Sequence, residues 1–181
     1  IEGSSSNKAI EIYNGTGATV NLDDYRIAQA VNGGGWAFYH TFPVGATLAD
    51  GATWTMITNQ TDTTLFAHSG ANEVLAYPSV VHHNGDDARG IEKTTDGGAT
   101  WTLVDLIGDP NNDPGSGWDV AGVTNGTQNH TMVRKPDVTG GSLNWTAAAG
   151  VDSISSEWLV YPINTFGNLG VHTMTGTVLS M

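Results

Sequence analysis

A chain of 181 residues is long enough to bury one well-formed core and is close to the usual size of a single domain. Eighteen Asp and Glu against six Lys and Arg give a formal charge of -12, which repels phosphate backbones and argues against direct nucleic-acid binding. With no cysteine, disulfide frameworks and thiolate zinc sites are excluded, and no run of roughly 18 apolar residues offers a membrane span.

Twenty-four glycines and abundant threonine disfavour helix interiors and point to an all-β chain. Its opening at Ile1 reads as the end of a strand, as though the chain were a piece of a longer protein. Residues 9–14 alternate apolar and polar before Asn14-Gly15, the pattern of a half-buried strand and a turn. Strict alternation puts Ile10 and Ile12 in the core together with Leu22, and Glu11 on the opposite face. Short strands follow at 19–22 and 25–31, then a reversal at Asn32-Gly33-Gly34-Gly35 and a hairpin partner at 36–42. Residues 47–52 read as a connector, 53–59 as a core strand and 65–77 as two short helical turns. Strands at 88–93 and 100–107 pair across the turn 95–98, and the two prolines and three glycines of 108–117 make that segment a surface loop. Strands at 130–135 and 158–161 complete the core, and residues 173–181 are a terminal edge strand or a linker after a domain spanning 1–172. About nine or ten short strands at this spacing predict a sandwich with long loops.

No nucleophile with a positioned base and no paired carboxylates have a recognisable spacing, so no catalytic residues are assigned. Calcium is the one cofactor the sequence allows. Asp109, Asn111 and Asp113 offer oxygen donors at alternate positions of a flexible loop, and Asp86-Asp87 forms a second acidic turn, although both segments are equally good turn chemistry. His82 and His83, adjacent on an extended segment, point to opposite faces and make a poor transition-metal pair. Of the six tryptophans, Trp54 and Trp158 are assigned to the core, whereas Trp36 and Trp118, each beside a glycine, are the candidates for ligand contact.

The run 2–17, with Ala9-Ile10-Glu11-Ile12-Tyr13-Asn14 at its centre, and the following Val20-Asn21-Leu22-Asp23-Asp24-Tyr25 closely resemble the opening of bacterial lamin tail domains. Asn84-Gly85-Asp86-Asp87-Ala88, Val104-Asp105-Leu106-Ile107-Gly108, Glu157-Trp158 and the run 164–172 fit the same family in the same order. The resemblance implies an immunoglobulin-like antiparallel β-sandwich without catalytic residues, found in secreted or cell-surface bacterial proteins, often beside nuclease or phosphatase domains. It implies a non-catalytic accessory module for attachment, assembly or spacing. The partner would be a protein, or an extracellular-matrix or surface component, or a second copy met through an open sheet edge. A carbohydrate-binding module with an exposed aromatic platform, supported by calcium, is the alternative. Two departures stand out. The family's usual first strand, just before Glu2-Gly3, is not among these residues, so residues 173–181 or another chain must cover that edge. The segment 94–101 is longer than the family's hairpin and matches the Asp-box of sialidase-like propellers, a hairpin device found on many folds.

Overall fold

A computed structural model describes residues 1–175. The strands are short because turn residues interrupt every apolar run. In chain order they are β1 (Ala9–Tyr13), β2 (Val20–Asn21), β3 (Tyr25–Ala30), β4 (Phe38–Thr41), β5 (Thr47–Leu48), β6 (Thr53–Thr58), β7 (Glu73–Leu75), β8 (Ala88–Lys93), β9 (Thr102–Ile107), β10 (His130–Arg134) and β11 (Trp158–Pro162). Helices α1 (Thr63–Ser69) and α2 (Trp145–Ala149) and a 3-10 turn at Leu22–Asp24 complete the fold.

One sheet has the order β4-β3-β8-β9 and is antiparallel throughout; the other has the order β1-β6-β7. β2 pairs with β5, and β10 with β11. The alternation in β1 is borne out: Ile12 is buried, Ile10 packs on the same core, and Glu11 accepts from the Thr55 hydroxyl on the other face at 2.5 Å. Leu22, Ile27 and Met56 meet Ile12 between the sheets, each nearly or fully enclosed. Removing a side chain of that size from water stabilises the fold by roughly 1.5–3 kcal/mol. A second core lies where β9 and β11 meet α2, with Leu106, Val120, Trp145 and Trp158 buried together.

Two expectations need correction. Only the first half of 65–77 is helical: Asp62 caps α1 by accepting from the Thr64 and Leu65 N–H groups, both at 2.9 Å, and Gly70 ends it. The second half is the strand β7, which runs parallel to β6 and so breaks the otherwise antiparallel pairing. The connector 47–52 contains β5, whose Leu48 faces the core because β2 gives it a partner. Helix α2 was not foreseen; its alanine-rich turn is held by the Asn144 side chain, which accepts from the Ala147 N–H at 3.1 Å. Of the proposed tail strand 173–181, Thr173 to Thr175 are not in a strand, and the Thr175 N–H donates to the Pro136 carbonyl at 2.6 Å; the rest lies outside the described residues.

Candidate functional site

Backbone direction alternates along a strand, so each residue of β1 offers its N–H and C=O either to β6 or away from it. The Lys8 carbonyl accepts from Thr58 and the Asn14 N–H donates to Ala52, which directs even-numbered residues towards β6. Ala9, Glu11 and Tyr13 therefore turn their backbone groups the other way. Ala9 exchanges both of its hydrogen bonds with Ile1, at 2.8 and 3.2 Å. Glu2 then donates from its own N–H to the His130 carbonyl of β10 at 3.0 Å. Ile1 and Glu2 thus lie as a single strand between β1 and β10, which at the usual strand spacing stand about 10 Å apart at this end.

The line of that strand, continued past Ile1, runs between the rest of β1 and β10. The Lys135 N–H, donating to Glu157, directs odd-numbered residues of β10 to the β11 side, so Met132 and Arg134 turn their backbone groups towards β1. At the far end the Tyr13 ring stacks edge-on against His172 at 4.6 Å, and burial together with the Arg134 charge lowers the His172 pKa. β1 and β10 therefore run in the same direction along the two walls of a strand-wide slot. The slot opens into a cavity of about 610 Å³, with Ile10, Ile12, Ile91, Met132 and Trp158 among its walls.

The polar groups around this cavity are mostly paired. Glu2 accepts from Lys8 and from the Asn129 N–H, Glu11 from Thr55 and Gly170, and Asp105 holds Arg134 in a two-pronged contact at 2.8 and 2.9 Å. Burial raises the Glu11 pKa, against the pull of its hydrogen bonds to Thr55 and Gly170. His83 Nε2 and Trp158 Nε1 are buried on the cavity wall without a partner, and so is part of Arg89. Its Nη1 donates to the Ala88 carbonyl at 2.8 Å, but Nε and Nη2 are buried without a partner, and burial pulls its pKa below the ordinary arginine value. The Thr131 hydroxyl, also on the cavity wall, is likewise buried and unpaired.

The residues singled out from sequence are placed elsewhere or beside this slot. Trp118 packs edge-on against Trp145 at the second core, and Trp36 lies over Gly90 on the outer face of the four-stranded sheet. Asp109 and Asp113 each accept a backbone N–H two residues on, from Asn111 at 2.9 Å and Gly115 at 2.7 Å, which is turn chemistry. Asn111 is exposed in the same loop. Asp87 accepts from the Asn84 N–H within its own turn and from the Asn32 N–H of a distant one, whereas Asp86 has a buried oxygen without a partner; burial raises both pKa values, and for Asp86 the charges of Asp113 and Glu2 add to it. Among the described residues no three His, Asp or Glu side chains converge as metal ligands. Both ring nitrogens of His82 are engaged by hydroxyls, those of Ser79 and Thr58, each at 2.8 Å. Arg89 and Thr131 were missed. The available signal was an arginine between Ala88 and Gly90, in a strand whose alternation puts it on the same face as Ile91.

Two facing sheets, the four-stranded one antiparallel throughout, define an immunoglobulin-like β-sandwich. The family model for the Lamin Tail Domain matches residues 1–113, and the chain belongs to that family, whose members are typically non-enzymatic. Comparison with curated proteins and with solved structures found no match. Among the described residues no helix is long and apolar enough to cross a membrane.

Proposed function

We propose that this domain is a non-catalytic accessory module of a secreted or cell-surface protein, mediating attachment, assembly or spacing. The observation that carries this reading is the match to the Lamin Tail Domain family, whose members are typically non-enzymatic immunoglobulin-like domains. Acidic, lysine-poor, Thr- and Gly-rich composition supports the extracellular setting.

The test is glycan-array binding by the 181-residue chain, with circular dichroism confirming the fold. Background signal on every glycan is expected of a module for attachment, assembly or spacing, and a saturable signal on one glycan class would refute that reading in favour of a carbohydrate-binding module.

A further inference from the structure

Asparagine is followed by glycine at four places in the chain, Asn14, Asn32, Asn84 and Asn125. Such a pair is chemically labile, because a glycine nitrogen has no side chain to shield it from the carbonyl carbon of the preceding side chain. Three of the four pairs are locked. Asn14 is buried, its Nδ2 donates to the Ala18 and Leu48 carbonyls, each at 2.8 Å, and its Oδ1 accepts from Thr16. Asn84 is tied to Asp87 through its N–H at 3.2 Å and its carbonyl at 3.4 Å, and Gly85 is buried under the Gln128 side chain and the Ser116 carbonyl. Asn125 is held by Asp119 at 2.9 Å and by Gln128 at 2.8 Å, and Gly126 is buried against Val120. Asn32 differs from all three. It is exposed, its side chain makes no hydrogen bond among the described residues, and its N–H meets Asp87 only at 3.3 Å; the Gly33 N–H has no acceptor among those residues either.

The turn itself calls for this pair. The Gly34 N–H donates to the Val31 carbonyl at 2.9 Å, and Asn32 and Gly33 both have positive φ, 47° and 69°, the arrangement of a type I′ turn that favours Asn-Gly. A Cβ at Gly33 would lie 2.6 Å from the Asp113 nitrogen and 2.7 Å from the Asn112 carbonyl carbon, so position 33 is closed to any side chain. We propose that Asn32-Gly33 is a site of self-modification, and that the reaction loosens the junction of the β3–β4 reversal with turn 84–87 and loop 109–113. The Gly33 nitrogen gives its proton to water and bonds to Asn32 Cγ, the bond from Cγ to the side-chain nitrogen breaks, and ammonia leaves with a proton returned from water. The cyclic imide then takes up one water. Opening at the side-chain carbonyl gives aspartate; opening at the main-chain carbonyl gives isoaspartate, whose chain runs on through the side-chain carbons. Either product sets a carboxylate next to Asp87, where Asp86 and Asp113 already act on each other's charge. Isoaspartate also lengthens the backbone where Gly33 lies against Asn112 and Asp113, and a packed contact of that kind does not stretch without loss.

The experiment ages the unaltered chain in warm, mildly alkaline buffer and follows it by peptide mapping, in which mass spectrometry reads the conversion of amide to acid and chromatography separates isoaspartate from aspartate. The Asn32 peptide should convert before those of Asn14, Asn84 and Asn125. Over the same period the thermal midpoint should fall by about 2–4 °C, the response of a domain this size to the loss of one ordinary interaction. N32G keeps a residue that accepts the positive φ but has no side chain to cyclise, and its midpoint should hold. N32D, which carries the charge from the start, should begin at a lowered midpoint. Conversion of another pair first, or of all four together as in an unfolded chain, would overturn the site. Should Asn32 convert first while the aged chain melts as the fresh one does, the site stands and the loosening of the junction is overturned. The order of conversion in the unaltered chain decides the site even where a variant does not fold.

Discussion

Ile12 and Ile57 are the same side chain in two different surroundings. Both are in paired strands and both are buried, Ile57 fully and Ile12 at 9 % exposure, but only Ile12 lines the inter-sheet cavity. Truncation to alanine costs the transfer of the lost carbons plus a term for the space they leave, together about 2–5 kcal/mol in enclosed sites. Beside an existing cavity fewer contacts are lost, so Ile12→Ala is expected near the lower end and Ile57→Ala near the upper. Urea denaturation of both variants checks this, and a larger loss for Ile12 would mean that its surroundings are as tightly filled as those of Ile57. Asp96 gives a second prediction. Hydrogen bonds from the Thr100 hydroxyl and N–H and the Thr94 hydroxyl hold its pKa at about 2, below the usual 3.8. A depressed folded-state pKa contributes stability that is complete above the unfolded value and lost as pH falls through the folded one. The contribution of Asp96 should therefore disappear between about pH 4 and pH 2, and carboxyl-carbon NMR should show a midpoint near the lower figure. A midpoint near 3.8 would mean that the turn does not hold the carboxylate.

Among the elements, the 94–101 segment behaves as its Asp-box pattern suggests: Asp96 ties the turn and the Trp101 ring N–H returns to the Gly98 carbonyl at 3.1 Å, making a closed hairpin between β8 and β9. Such local devices were readable because turn chemistry and alternation act over a few residues. β1, β3, β6, β8 and β9 were legible for the same reason. Segment 65–77 was not, because its second half becomes a strand only through pairing with β6, a tertiary event that no local propensity encodes. The place of β10 beside Ile1 and Glu2 was not legible, since β10 is distant in sequence and only folding sets it across from β1. Arg89 was hidden for a similar reason: sequence shows an arginine, and only packing shows that nothing answers it. The join between β9 and the loop after it yields an element-scale prediction. Gly108 has φ of +81°, and a methyl there would meet the Trp118 ring at 2.6 Å. Gly17 has nearly the same φ, +83°, with nothing within 4 Å of the added atom. Gly17→Ala should therefore report backbone strain alone, of order 1 kcal/mol, whereas Gly108→Ala adds displacement of Trp118 and should cost about 2–4 kcal/mol. Thermal melts of the two variants separate these effects; equal losses would show that the ring moves aside freely.

On the scale of the whole molecule, the family match ends at residue 113, but the packing does not. Leu106 of β9, within the matched region, is buried against Val120, Trp145 and Trp158, all beyond it. Asp105 is the carboxylate partner of Arg134, which also bonds Glu157 at 2.7 Å. At the chain's opening, Glu2 bonds the backbone at both Asn129 and His130. Residues 114–175 therefore complete the layer of which β1 is one wall, instead of forming an appended unit with a separate core. Cutting at residue 113 would strip one face of β9, leave Leu106 in water and remove the second wall of the slot. A chain of residues 1–113 is then expected to lack a cooperative thermal transition, while the 181-residue chain melts in a single transition whose calorimetric and van't Hoff enthalpies agree. Differential scanning calorimetry on both decides the matter. A truncated chain that melts cooperatively within a few degrees of the parent would mean that the second core stabilises only itself.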